Sequence, residues 1–295
     1  MSRIAEKWIQ IDQRVETFAS MQCGMFRVQY AYARSAESRT ADEIGQDYVA
    51  FIERGDSLSF CICDGVGQSY YGDLAARLAG DELARWLSQL KTSDQLVASE
   101  LNRRLVTFMS ELCSPASKVV EQHTIPVQVP ALLRDVLMEK RVRGSETMFI
   151  GGRFDSPSRE LPHGRLLLAW MGDMRLRLWK GKEECTSELG HQLSMEERWS
   201  TKRGLLGGEP HVFVSGLAGK SYTRITAYSD GLAVIDDCKA PPSAMEVQHA
   251  INRSAAQPTS DDVAYLDVCW DATALFTEEQ TSERGLLSRL FRKKG

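Results

Sequence analysis

The chain has no run approaching the roughly 18 apolar residues that a membrane-spanning helix needs. Its opening, Met1-Ser2-Arg3, leads into a mixed amphipathic stretch and not into the apolar core of a signal peptide. The expectation is a cytoplasmic protein. CxxC pairs are missing as well. The seven cysteines (Cys23, Cys61, Cys63, Cys113, Cys185, Cys238 and Cys269) are scattered and odd in number, which argues against a zinc site or disulfide framework and for a reducing compartment. Cys61 and Cys63 lie two apart in a strand-like run and share a face, where they serve as small apolar residues. The five histidines, His123, His163, His191, His211 and His249, show no ligand-like spacing. Basic excess is absent: the net charge is -4, which sets aside a general nucleic-acid footprint. No internal repeat and no low-complexity tract occurs. With 295 residues the chain suits one large domain or two modest ones, and its 43% hydrophobic content is enough for a substantial core.

Against that plain background four aspartates stand out. Asp47, Asp64, Asp230 and Asp261 each sit at the edge of an apolar, strand-like run: GQDYVAF from Gly45, SFCICDGVG from Ser59, ITAYSDGL from Ile225 and SDDVAYLDV from Ser260. A strand end is rigid and the turn beyond it is exposed, so a carboxylate placed there points into a cleft without a floppy backbone. Four carboxylates meeting at one point repel each other and do not all stay ionised. A hard divalent cation, Mg2+ or Mn2+, removes the conflict because such ions prefer oxygen ligands.

The pattern along the chain predicts a short amphipathic helix or a lead-in over residues 2–20. Strands follow at about 24–33, 46–53 and 57–63. Leu74, Ala75, Leu78, Ala79, Leu83, Trp86, Leu87 and Leu90 recur at helical spacing and predict a helix from Gly72 to Leu90. A second helix spans about 95–112. Pro115, Pro126 and Pro130 then punctuate a loop before a third helix over 130–140, and this middle region is expected to cover one side of a sheet. Strands return at 147–150, 165–170 and 174–179; the last alternates Arg and Leu as a half-solvated antiparallel strand does. Polar residues 185–209, with Gly204, Gly207 and Gly208, read as a mobile flap. A strand at 225–228, a helix at about 243–255 and a strand at 263–270 complete the pattern. Strands in runs and helices in runs argue for antiparallel sheets with helices layered outside, an α+β class. The tail differs: Leu286, Leu287, Leu290 and Phe291 form an apolar stripe among Arg289, Arg292, Lys293 and Lys294. It reads as weak contact with an anionic membrane or a partner, or as a helix packed on its own domain or a frayed end.

Taken in order, Gln46-Asp47, Asp64-Gly65-Val66-Gly67, Gly172-Asp173-Met174-Arg175, Ser229-Asp230-Gly231 and Asp261-Asp262-Val263-Ala264 resemble the metal-dependent serine/threonine phosphatases of the protein phosphatase 2C (PPM) family, in a divergent, bacterial-type form. The matches span roughly residues 24–270. The resemblance implies a four-layer α-β-β-α sandwich, two antiparallel sheets flanked by helices, and divides the chain into a lead-in (1–20), a phosphatase 2C-like domain (21–275) and a basic amphipathic tail (276–295). It implies two Mn2+ or Mg2+ ions per chain at one edge of the sandwich. Asp64 would bridge them, Asp47 and the Gly65 carbonyl would serve one, and Asp230 and Asp261 the other. A glycine at 65 also lets the backbone turn sharply near an ion. A water activated by the two ions would attack the phosphorus of a phosphorylated protein, making Asp47, Asp64 and Asp230 the catalytic set. A cognate Ser/Thr kinase would supply that substrate.

Several positions depart from the family. Gln68 replaces a second glycine, and Val66 stands where some members carry a histidine, leaving water to protonate the leaving group. The phosphate-binding arginine expected before the first aspartate is Asp42, with Arg39 nearby. Where a third-metal aspartate is expected, near Gly144, stand Arg141, Val142 and Arg143; either arginine folded back would replace the clamp, or both are solvated cations at a helix end. A further family carboxylate would fall near Val234, with Asp236 and Asp237 beyond. These losses leave two readings open. One is a protein phosphatase; the other is a pseudophosphatase acting as a regulatory binding module. An unrelated carboxylate-metal nuclease fits the acidic charge and motif order less well.

Overall fold

The computed structural model describes residues 6–92, 96–190, 193–217 and 222–270. Strands β1 (Glu6–Gln10), β2 (Thr17–Cys23) and β3 (Phe26–Ala33) come first. A short α1 (Ala36–Thr40) leads to the hairpin of β4 (Tyr48–Arg54) and β5 (Ser57–Gly65). Helices α2 (Gly72–Gln89), α3 (Ala98–Gln122) and α4 (Ala131–Arg143) follow. Then come β6 (Glu146–Asp155), β7 (Arg165–Met171), β8 (Arg175–Lys180) and the two-residue β9 (Glu183–Glu184). β10 (Arg198–Ser200), β11 (Gly204–Leu206), β12 (His211–Ser215) and β13 (Arg224–Tyr228) precede a 3-10 turn, Asp230–Ile235. Helix α5 (Ala244–Ala255) and β14 (Val263–Trp270) end the described chain.

Eight strands form one sheet. It runs β1-β4-β5-β6; the start of β6 pairs with β10, which pairs with β11, and the rest of β6 pairs with β7, which pairs with β12. Six strands form the other, in the order β2-β3-β14-β13-β8-β9. Every pairing is antiparallel. The sheets meet through large apolar side chains: the Phe154 ring lies 5.3 Å from Phe26 and 5.3 Å from Trp270, centroid to centroid, joining β6 to β3 and β14. Helices α2 and α3 lie against the larger sheet and α5 against the smaller, giving the α-β-β-α layering. Close packing of α2 is enforced at Gly151, where a Cβ would come 3.0 Å from Leu83 and 3.2 Å from Leu87.

Helix α2 forms where its apolar period requires. Ala75, Ala79, Leu83 and Leu87 are buried in one stripe. Its C-terminus is held by Arg153, whose guanidinium donates to the carbonyl oxygens of Leu87 (2.7 Å), Ser88 (3.0 Å) and Leu90 (2.7 Å). Asp155 neutralises that buried cation and Arg165 together, at 2.7 and 2.8 Å.

Several expectations are corrected. Residues 6–20 are not a helix: β1 extends the larger sheet and β2 the smaller, so sandwich strands begin ahead of residue 21. Pro115 does not end a helix; α3 runs through it to Gln122, because Leu105, Met109, Leu112, Ala116 and Val120 continue one buried stripe across it. Packing of that stripe outweighs the hydrogen bond that proline removes. Helix α4 buries none of its residues and covers no sheet face. The segment read as a flap contains β10 and β11, with Trp199 fully buried and its indole N–H donating to the Met109 carbonyl at 3.0 Å. Strand β8 is not half-solvated: Arg177 is buried, paired with Glu184 and donating to the Ile235 carbonyl. The basic tail, 276–295, lies outside the described residues.

Candidate metal centre

The register of the β4–β5 hairpin sets the first half of the site. Tyr48 pairs with Cys63, so Asp47 and Asp64, the next residues on each strand, stand side by side at one end of the larger sheet. Thr147 of β6 fixes the far side by donating its hydroxyl to the Asp64 carbonyl at 2.7 Å. The second half comes from the smaller sheet. Ser229 follows β13, and its hydroxyl accepts from the Ala264 N–H at 2.9 Å. That bond holds Asp230 next to Asp261 and Asp262, which precede β14. Gly231 is required there, since a Cβ would fall 2.1 Å from the Asp262 carbonyl oxygen.

The charges of these residues act on one another across the two sheets. Asp47 is 2% exposed, and its carboxyl is pushed well up, first by burial and then by Asp64 and Asp262. Asp64 is raised by burial and then by Asp230, Asp261 and Asp173. The Asp230 carboxyl is raised too, by partial desolvation and then by Asp261 and Asp173; Arg175 opposes them. One oxygen of Asp47, Oδ2, is buried with no hydrogen-bond partner. A buried anionic oxygen without a donor is costly unless something positive meets it.

Hard oxygen donors, mutual repulsion and the orphaned Asp47 oxygen fit a divalent cation in chemistry. Even so, among the described residues no group of three or more His, Cys, Asp or Glu side chains is set to hold a metal ion. The two observations are compatible. Charge coupling reports carboxylates close enough to repel, whereas ligation demands that they aim at one point. The donors are gathered but not closed.

Three acidic residues matter here to which sequence reasoning gave no role, although Asp173 and Asp262 lie in the quoted motifs. Asp262 is 4% exposed and latches the sheets together, accepting from the Ser35 N–H at 2.6 Å and the Gln46 N–H at 2.5 Å. The doubled Asp261-Asp262 was the available signal. Asp173, in the turn between β7 and β8, adds its charge to Asp64 and Asp230. Asp73, in the first turn of α2, is raised to about 6 by burial, with Arg77 opposing. The candidate clamps go elsewhere. Arg141 stacks on Tyr70 and donates to the His123 carbonyl, and Arg143 pairs with Glu139. Arg39 donates to the Ser35 and Ala255 carbonyls. Asp236 accepts from the Tyr228 hydroxyl at 2.9 Å and pairs with Arg175.

No protein-family model matches the chain, and no curated protein does. Among solved structures there are likenesses. This chain is similar to bacterial serine/threonine phosphatases. The structure of Stp1, the serine/threonine phosphatase from Staphylococcus aureus, is 10% identical with a TM-score of 0.48, covering 92% of this chain and 96% of that one. RsbX in complex with magnesium is 13% identical with a TM-score of 0.49, covering 86% and 100%. PppA, a key regulatory component of T6SS in Pseudomonas aeruginosa, is 15% identical with a TM-score of 0.41, covering 92% and 99%.

Proposed function

We propose that this protein hydrolyses phosphoserine or phosphothreonine in proteins at a pair of Mn2+ or Mg2+ ions. The observation that carries the reading is the buried, unpartnered Asp47 oxygen beside an Asp64 carboxyl already repelled by Asp230 and Asp261. Asp64 would lie between the ions, Asp47 and the Gly65 carbonyl would hold one, and Asp230 and Asp261 the other. When bound, such ions activate water at neutral pH and offset the charge of the phosphoryl group. The chain's own part is to keep the acceptors rigid. Asp262 ties the two sheet ends together by accepting from the Gln46 N–H, Ser229 holds the end of β13 to β14, and Gly65 with Gly231 admits close backbone approach. Asp47 supplies the deepest negative charge, and its burial excludes competing water. Val66 beside the cleft offers no proton, so solvent would protonate the departing serine or threonine oxygen.

The setting we propose is the cytoplasm. All seven cysteines are free, and no described helix is long and apolar enough to cross a membrane. A phosphorylated protein, made by a Ser/Thr kinase, is the partner proposed.

A second reading, a regulatory module without turnover, is favoured by one observation: Arg39 and Arg141, the nearest candidates for a phosphate clamp, are committed to backbone carbonyls. Hydrolysis of a phosphoserine peptide with excess Mn2+ separates the two. Turnover that vanishes in Asp64→Asn supports the phosphatase; metal uptake without turnover supports the module.

A further inference from the structure

Beside Asp230 and Asp261 opens a cleft of about 290 Å³, whose lining includes Arg253 from the last turn of α5. Among the described residues the Arg253 guanidinium has no hydrogen-bond or ion-pair partner. That sets it apart from Arg39, Arg141 and Arg175, each held by a carbonyl or a carboxylate. An adjoining groove of about 410 Å³ runs between the Asp230–Ile235 turn and α5, lined by Val234, Ile235, Met245 and Ala250. The two cavities share Val234 and Arg253. Met245 is 80% exposed and Val234 51% exposed, so this apolar lining is open to solvent.

We infer that a substrate peptide lies across Arg253. Its phosphoryl group enters the cleft between Arg253 and the Asp230–Asp261 pair, and an apolar side chain next to the phosphorylated residue fills the groove. The inference rests on the proposed reading of the carboxylate cleft. It adds the substrate class: phosphopeptides with an apolar residue adjoining the phosphorylated one. Charge and continuity argue for this occupant. An uncommitted guanidinium recognises phosphoryl oxygens by paired, charge-assisted hydrogen bonds. A phosphopeptide, unlike a small phosphate ester, would extend past Arg253 into the open groove. Any residue placed there trades exposed apolar surface for contact with Val234 and Met245.

The test is binding of fluorescent thiophosphoserine peptides, which hydrolyse slowly, to the whole chain in millimolar Mn2+. One peptide has leucine on both sides of the thiophosphoserine and the other has glycine. The leucine peptide is expected to bind about tenfold tighter, the worth of one partly buried aliphatic side chain. Arg253→Ala weakens both peptides about tenfold or more, and Arg253→Lys recovers part of the loss. Met245→Asp removes the preference for leucine. Equal affinity for the two peptides, or indifference to Arg253→Ala, overturns the inference, and so does failure of either peptide to bind. Hydrolysis of the ordinary phosphoserine peptides is measured separately. Binding with the expected pattern but no hydrolysis keeps the docking and defeats the phosphatase reading; hydrolysis without the pattern does the reverse.

Discussion

Gly65 and Gly72 face each other so closely that neither admits a side chain. A Cβ on Gly65 would lie 2.6 Å from the Gly72 carbonyl carbon and 2.7 Å from the Gln46 carbonyl oxygen, and one on Gly72 would lie 2.7 Å from the Gly65 carbonyl carbon. The end of β5 and the start of α2 are therefore locked together beside Asp47 and Asp64. Sequence reasoning attributes Gly65 to ion approach; the structure adds a packing reason that holds with or without an ion. Gly72→Ala is expected to cost about 1–3 kcal/mol in urea unfolding, as overpacking does, and to weaken Mn2+ uptake. An unchanged unfolding midpoint would show that α2 can shift freely.

Removing the Asp47 charge separates stability from metal uptake. Its carboxyl is raised by burial and by Asp64, so at neutral pH the ionised form works against folding of the metal-free protein. Asp47→Asn is therefore expected to raise the stability of the metal-free chain at neutral pH. The same variant is expected to lose most of the stabilisation that Mn2+ gives the parent, about 2.7 kcal/mol at a hundredfold excess over the dissociation constant. Thermal unfolding with and without Mn2+ checks both halves.

Acidity acts in a defined direction. The folded-state pKa values of Asp47, Asp64 and Asp230 are raised, and Asp73 reaches about 6. A raised carboxyl favours the fold fully below its unfolded pKa, and that contribution is lost as pH rises through the folded value. From about pH 4 upward the metal-free protein is thus penalised increasingly as pH rises, while Mn2+ competes with the same protons. Apparent Mn2+ affinity is expected to fall about tenfold per pH unit on acidification for each proton displaced. Calorimetric titrations at pH 8, 7 and 6 measure it; a flat profile would place the ion elsewhere.

Adjacent aspartates are expected to behave oppositely. Asp262 accepts from two backbone N–H groups and is buried, so Asp262→Ala is expected to cost about 2–3 kcal/mol. Asp261 is exposed, and Asp261→Ala is expected to change stability by less than about 0.5 kcal/mol while lowering Mn2+ uptake. Urea unfolding and metal titration of the two variants decide which residue is the latch.

The contrast between those two residues also marks what was legible in the sequence. Strand ends bearing Asp47, Asp64, Asp230 and Asp261 could be read, because apolar runs announce the strands and the glycines after Asp64 and Asp230 announce turns. Helix α2 could be read from its period. Which of two neighbouring aspartates turns inward could not, because burial of Asp262 depends on Ser35 and Gln46 arriving from elsewhere in the chain. β1 was hidden for a related reason: EKWIQ carries no alternation, and its order comes from pairing with β4. β10 and β11 are three residues each, too short to show a period. Arg253 gave no signal, since its place beside Asp230 follows from how α5 packs on the smaller sheet.

The most direct test is anomalous scattering from crystals soaked in Mn2+. Two peaks among Asp47, Asp64, Asp230 and Asp261 are the expected result. An empty cleft at millimolar Mn2+, or manganese bound away from these four carboxylates, would contradict the account.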